Sequence, residues 1–112
     1  MKPFVQHAAR QDILDQYRYF LDVDSAELAN RFLSAVNEAI DKIARNPDAG
    51  VPRKFVNPLL TGLRCRGITG FDEMRICYMT GRDTVTIIRV LHTRRDLGAI
   101  FAEQGVDRPE ED

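Results

Sequence analysis

Residues 63–97, LRCRGITGFDEMRICYMTGRDTVTIIRVLHTRRDL, decide the fold. Within them Leu63–Ile68, Met74–Thr80 and Thr84–Leu91 are rich in Ile, Val, Thr and Tyr, residues that suit a pleated, half-buried surface. Thr69-Gly70-Phe71-Asp72-Glu73 separates the first two runs and Gly81-Arg82-Asp83 the last two, gaps short enough for antiparallel hairpins. Three strands in a meander leave at least one sheet face in need of cover, and the upstream sequence has to supply it.

It does so with helical periodicity. Between Ala8 and Leu21 the apolar residues Ile13, Leu14, Tyr17, Phe20 and Leu21 recur every three or four positions, one stripe along a helix. Asp24 followed by Glu27 reads as a capping box opening a second helix, whose stripe is Leu28, Phe32, Val36, Ala39, Ile40 and Ile43. Asn46-Pro47 ends it, because the residue before a proline is driven out of the helical region. Lys2-Pro3-Phe4-Val5 reads as a short edge strand, the only place a proline suits a sheet. Residues 48–62 are a connecting stretch punctuated by Gly50, Pro52, Pro58 and Gly62, and Asp96–Gln104 reads as a short closing helix. The expected architecture is α+β: an N-terminal helical hairpin packed on a small antiparallel β-sheet whose other face is open or partly covered. Residues 1–105 would form a single domain and residues 106–112 a solvated acidic tail.

The chain has 112 residues, 44% hydrophobic and 29% charged, which excludes both a second domain and a disordered polymer. Cys65 and Cys77 match no metal-ligand spacing and are too few for a disulfide framework, so two reduced, buried thiols without a role are expected. No metal or cofactor is implied, since glycine-rich phosphate loops and a Ser-His-Asp constellation are missing. The N-terminus carries no apolar run resembling a signal peptide or a membrane span, so the expected location is cytoplasmic. The net charge of −1 hides a segregation: residues 51–97 hold 9 basic and 4 acidic side chains, residues 98–112 hold 1 and 5.

The basic side chains of that middle segment are the candidate site. Arg64, Arg66, Arg75, Arg89, Arg94 and Arg95 all fall on or just after strands. If Thr80 faces Thr84 across the second hairpin, Arg75 lies opposite Arg89, a like-charge pair that a bound anion would relieve. The competing reading is that acidic groups on the helices, or Asp72 and Asp96, neutralise these arginines. His92 is a histidine at a strand end, a residue type that fits acid/base chemistry or, equally, a hydrogen bond to a carbonyl there. His7, near the start of the first helix, offers nothing specific.

The element order, together with Leu63-Arg64-Cys65-Arg66, Gly70-Phe71, Met74-Arg75-Ile76-Cys77-Tyr78 and Ile88-Arg89-Val90-Leu91-His92-Thr93-Arg94-Arg95-Asp96-Leu97, resembles the RelE/ParE superfamily of bacterial toxins from type II toxin–antitoxin modules, most closely its ParE branch. The resemblance implies inhibition of DNA gyrase and growth arrest, with neutralisation by a cognate antitoxin and no enzymatic chemistry. Arg64, Arg66, Arg75, Arg89, His92, Arg94 and Arg95 would bind target or antitoxin, with Asp96 orienting an arginine. The RelE branch implies instead ribosome-dependent cleavage of mRNA, with Arg75, His92 and Arg95 as the catalytic set. Phe101 stands where such nucleases often carry a tyrosine, and phenylalanine transfers no proton. A third reading is a non-toxic relative that only binds antitoxin, and an exposed edge strand would also permit a homodimer or a hetero-oligomer.

Overall fold

The computed structural model describes residues 1–107; the remainder of the expected acidic tail, residues 108–112, lies outside the described residues. Five strands form one sheet in the order β1-β5-β4-β3-β2, with β1 at Lys2–Val5, β2 at Val51–Pro52, β3 at Arg64–Ile68, β4 at Phe71–Thr80 and β5 at Thr84–His92. Helices α1 (His7–Val23) and α2 (Ala26–Arg45) cover one face, and a short α3 (Leu97–Ala102) packs on the other. The α+β architecture with a helical hairpin on the sheet is as the sequence implies. The sheet is mixed rather than wholly antiparallel, because β1 runs parallel to β5 along Lys2–Val5 and Thr84–Ile87. Parallel pairing needs a long crossover, and here everything between β1 and β5 supplies it. Pro3 sits on an edge strand, where its missing amide costs the sheet little.

Helix α2 buries Phe32, Val36, Ala39, Ile40 and Ile43 against Ile68, Met74, Ile76, Tyr78, Val85, Ile87 and Val90 of the sheet. Each of the larger side chains contributes roughly 1.5–3 kcal/mol by leaving water. Phe20, Phe32 and Phe71 close the end of this core, with ring centroids 5.3–5.7 Å apart. The start of α2 differs from the expected capping box. Ser25 is the N-cap, its Oγ accepting from the Leu28 amide at 3.1 Å. Asp24 is already committed to ending α1, its N–H donating to the Phe20 carbonyl. Helix α1 keeps only part of its expected stripe inward: Ile13 and Phe20 pack on the core together with Ala9, while Leu14 and Leu21 remain 42% and 40% exposed.

On the opposite face Leu60, Leu63, Cys65, Cys77, Ile88, Leu91 and Phe101 form a second, smaller core under α3 and the 55–63 loop. Cys65 lies directly opposite Cys77 in the β3–β4 register, their Cα atoms 4.1 Å apart, and the two form a disulfide. This corrects the expectation of two free thiols: the hairpin brings cysteines twelve positions apart into one cross-strand pair. The β4–β5 register corrects a second expectation. Thr80 pairs with Val85, one residue beyond the expected Thr84, and a bulge at Cys77/Tyr78 absorbs one more residue of β5, so Arg75 pairs with Leu91 and Arg89 with Cys77. Arg75 and Arg89 therefore do not oppose each other.

Tyr78 shows how the inner core fixes the connecting stretch. Its buried hydroxyl donates to the Pro47 carbonyl at 2.6 Å and accepts from the Gly50 amide at 2.9 Å. A Cβ on Gly50 would lie 2.9 Å from two ring carbons of Tyr78 and closer still to its oxygen, so glycine is required there by space. Gly50→Ala should destabilise the fold by about 1–3 kcal/mol through overpacking. Tyr78→Phe should cost a similar amount, about 1–3 kcal/mol, by stranding the buried Gly50 amide. Urea unfolding of each variant measures both, and a midpoint equal to the parent's would refute the assignment.

Candidate functional site

The candidate arginines separate into scaffold and surface. Arg89 belongs to the scaffold. Its Nε and Nη2 bond both carboxylate oxygens of Asp12 at 2.7 and 2.8 Å, and its Nη1 reaches Gln104 Oε1 at 2.8 Å. The same Asp12 carboxylate accepts from the Val90 amide at 2.9 Å. The hydrogen bonding to Asp12, with the attraction of its charge, raises the Arg89 pKa above the ordinary guanidinium value against the opposing effect of burial. A raised value means the stabilisation is complete below the unfolded guanidinium range and fades only above it, so the pair persists through any working alkaline pH. Arg64 is a brace too, donating from Nη1 to the carbonyls of Asp48 (3.0 Å) and Gly50 (2.7 Å). Among the described residues Asp96 pairs with no arginine; its Oδ1 accepts from the Ala99 amide at 3.0 Å and caps α3.

Two surface clusters remain. The first lies where β5 ends. Thr93 N–H donates to the Glu73 carbonyl at 2.7 Å and Arg95 N–H to the His92 carbonyl at 3.1 Å, making a tight turn. His92 Nδ1 accepts from the Arg94 amide at 3.0 Å, so Nε2 carries the ring proton and donates to Glu73 Oε2 at 2.9 Å. The second Glu73 oxygen takes Arg94 Nη2 at 3.3 Å. Beside this turn opens a cleft of about 650 Å³, with Phe20, Leu28, Phe71 and Met74 in its lining and Tyr19, Arg94 and Arg95 also contributing. Its apolar lining and charged residues suit a protein side chain better than a phosphate.

The second cluster lines a groove of about 750 Å³ at the β3 edge, where Arg53, Arg66 and Arg75 are joined by Asp72. Arg75 Nη1 donates to the carbonyls of Asp72 (2.7 Å) and Met74 (2.9 Å), which fixes the guanidinium over Gly67. None of the three arginines pairs with a carboxylate among the described residues.

Strand alternation keeps the clusters apart. Met74 and His92 form one cross-strand pair and point to the helical side, whereas the next pair, Arg75 and Leu91, points to the other. The structure thus brings His92, Arg94 and Arg95 together, and separately Arg66 and Arg75. Phe101 is fully buried against Phe55, with ring centroids 4.8 Å apart. No group of three or more His, Cys, Asp or Glu residues able to hold a metal is found among the described residues, and no described helix is long and apolar enough to cross a membrane.

Two residues that sequence reasoning passed over carry much of the arrangement. Asp12 shares the inward arc of α1 with Ala9 and Ile13, and that spacing was the available signal. Gln6 left none: its buried amide donates to the carbonyls of Ile88 (3.0 Å) and Gly105 (3.1 Å) and accepts from Asp107 N–H at 2.9 Å. Val106 packs on the outer core and Asp107 Oδ2 accepts from the His7 amide at 3.0 Å, so the chain just after Gly105 is held against the domain.

A family model described as "ParE toxin of type II toxin-antitoxin system, parDE" matches residues 4–97. Among solved structures the chain is similar to "Chromosomal ParDE TA system from P. aeruginosa", with a TM-score of 0.68 and 15% identity over 82% of this chain and 95% of that one. It is also similar to "YoeB/ParE toxin from Agrobacterium tumefaciens", with a TM-score of 0.51 and 22% identity over 82% of this chain and 98% of the other. At these identities the likeness speaks for the fold. No curated protein matches.

The Arg89–Asp12 geometry makes its own prediction. Asp12→Ala strands a largely buried guanidinium and the Val90 amide, and should cost about 2–4 kcal/mol in urea unfolding. Arg89→Met added to Asp12→Ala should restore part of that loss, since the unpaired charge is gone; strictly additive losses would refute the coupling.

Proposed function

The chain belongs to the ParE toxin family of type II toxin–antitoxin systems, and from that premise we propose that it arrests growth in the cytoplasm by inhibiting DNA gyrase and is neutralised by a cognate antitoxin. It acts by docking rather than by chemistry. The observation that supports this most is the divergence of the groups an RNA-cleaving relative would need. Metal-free cleavage of a phosphodiester requires a base, an acid and cations converging within hydrogen-bond reach of one phosphate. Here Arg75 and His92 point to opposite faces of the sheet. Both nitrogens of His92 are engaged, Nδ1 by the Arg94 amide and Nε2 by Glu73, so no lone pair is free to accept a proton.

Arg94 and Arg95 beside the apolar cleft, and Arg66 and Arg75 over the β3 edge, are the docking charges in this reading. Arg64, Arg89 and Asp96 keep the surface in shape without touching a partner. Buried apolar contacts next to arginine are the composition of strong protein interfaces, and an acidic partner would be steered toward both clusters.

Controlled expression without antitoxin tests the reading. Growth should stop, plasmid supercoiling should fall or cleaved DNA accumulate, and messenger RNA should stay intact. Codon-positioned cuts in messenger RNA with normal DNA topology would replace gyrase inhibition with ribosome-dependent cleavage. No arrest from folded protein would leave an antitoxin-binding relative. Arg95→Ala should relieve arrest while changing stability by less than about 0.5 kcal/mol, as expected of an exposed side chain. His92→Ala should matter far less than in a nuclease, where it would abolish cutting.

A further inference from the structure

The loop that roofs the outer core, between β2 and β3, points apolar side chains both ways. Phe55, Asn57 and Leu60 turn inward: the Phe55 ring packs on Phe101 with centroids 4.8 Å apart, and Leu60 is fully enclosed. Val56 and Leu59 turn outward, 96% and 59% exposed, with Pro58 exposed between them. None of these three belongs to either core. Single surface hydrophobes are ordinary, but three within a run of four residues at the tip of one loop make a convex apolar knob.

The knob is held stiffly. Asn57 Nδ2 donates to the carbonyls of Phe101 (3.0 Å) and Gln104 (2.9 Å), where α3 ends, and its Oδ1 accepts from the Leu59 amide at 3.0 Å. Thr61 Oγ1 donates to the Pro58 carbonyl at 2.9 Å, and the amides of Leu60 and Leu63 close successive turns onto the carbonyls of Asn57 and Leu60. Pro58 fixes its own φ. A loop braced in this way has little freedom left to lose on binding, which is what preorganises a contact. Phe55, Asn57 and Leu60 serve the fold; Val56 and Leu59, held in water, do not.

Positive charge surrounds the tip. From Ala49 to Phe71 the chain carries Arg53, Lys54, Arg64 and Arg66 and no acidic residue. Arg53 lies over the Phe55 ring, 5.5 Å from its centroid, and Lys54 is exposed two positions before Val56. Glu103 belongs to the α3 end that Asn57 grips, yet neither Arg53 nor Lys54 has a carboxylate partner among the described residues.

Shape selects the occupant. The cleft beside His92 and the groove at the β3 edge are concave, and suit a protruding peptide segment. A convex knob needs the reverse, a folded partner with a pocket of its own. A second copy meeting tip to tip is disfavoured, because Arg53 and Lys54 would face their like. We propose that Val56 and Leu59 enter an apolar pocket rimmed by carboxylates on the protein that this chain inhibits, with Arg53 and Lys54 on the rim. The inference rests on reading the chain as an inhibitor that docks on a folded target; gyrase enters only as the probe.

The test expresses the full chain without antitoxin and, separately, measures its binding to purified DNA gyrase. Val56→Asp and Leu59→Asp should each keep the parent's urea midpoint, because neither side chain packs on a core, while weakening gyrase binding about tenfold or more and letting cells grow. Lys54→Glu should weaken binding about tenfold at low salt and by less at high salt, as a rim charge does. Folded Val56→Asp and Leu59→Asp variants that bind gyrase and arrest growth like the parent would overturn the proposal and leave gyrase inhibition standing. Arrest by the parent that both variants relieve, with no gyrase binding by any of them, would overturn gyrase as the target and keep the knob for another protein. A parent that neither binds gyrase nor arrests growth overturns both. Binding of the parent to vesicles of phosphatidylglycerol and phosphatidylcholine in equal parts, lost in Val56→Asp, would overturn the proposal by giving the knob to a lipid surface.

Discussion

Asp12 meets β5 at the place where β1 has run out. The parallel pairing ends at Val5 and Ile87; beyond it the Ile88 carbonyl takes the Gln6 side chain and the Val90 amide takes the Asp12 carboxylate. One carboxylate thereby closes a sheet edge, fixes the α1 hairpin to the strand and neutralises Arg89, whose remaining nitrogen holds Gln104. Helix α1 adds Ala9, Ile13 and Phe20 to the inner core, while Leu14, Tyr19 and Leu21 are all more than a third exposed. A polar clamp in a partly buried site is strong because it is bidentate and hydrogen-bonded to charge. It also dictates direction: apolar packing tolerates sliding, whereas a fork meeting a carboxylate has one register.

From that clamp the rest follows in layers. With β5 held, the bulge at Cys77/Tyr78 sets which residues of β4 and β5 share a face. That choice sends Met74 and His92 toward the helices and Arg75 with Leu91 toward the outer core. The Gln6 amide then ties Gly105 and Asp107 back onto the bulged strand at Ile88, which closes the outer core beside α3. The two exposed arginine clusters are consequences of this register. Neither is defined by its own hydrogen bonds alone, and the ion pair between Arg94 and Glu73, solvent-exposed at 80% and 60%, adds at most about 1 kcal/mol.

Arginine on a strand proves to have two physical roles in one small protein. Where a guanidinium ties its strand to a distant element, as Arg64 does to the carbonyls of the 47–50 turn and Arg89 to Asp12 of α1, it is part of the frame. Where it lies over a glycine or beside an apolar cleft, as Arg75 and Arg95 do, its charge is available to a partner. The side chain's identity is the same in both cases; its neighbours, brought in from α1 and the 47–50 turn, make the difference.

Periodicity alone determined the two long helices, the three central strands, the α2 stripe from Phe32 to Ile43 and the α+β layering, because apolar spacing reports directly which side of an element leaves water. The family was legible from the wording of residues 63–97. Tertiary structure decided the rest. The capping side chain proved to be Ser25 because Asp24 was needed to end α1, and the free thiols proved to be a cross-strand disulfide because hairpin register is set by both strands together. The facing of Arg75 away from His92, and the pairing of Arg89 with Asp12 across 77 positions of sequence, depend on a bulge and a helix rotation. Those are fixed by packing among distant residues, and a single chain's local pattern carries no record of that packing.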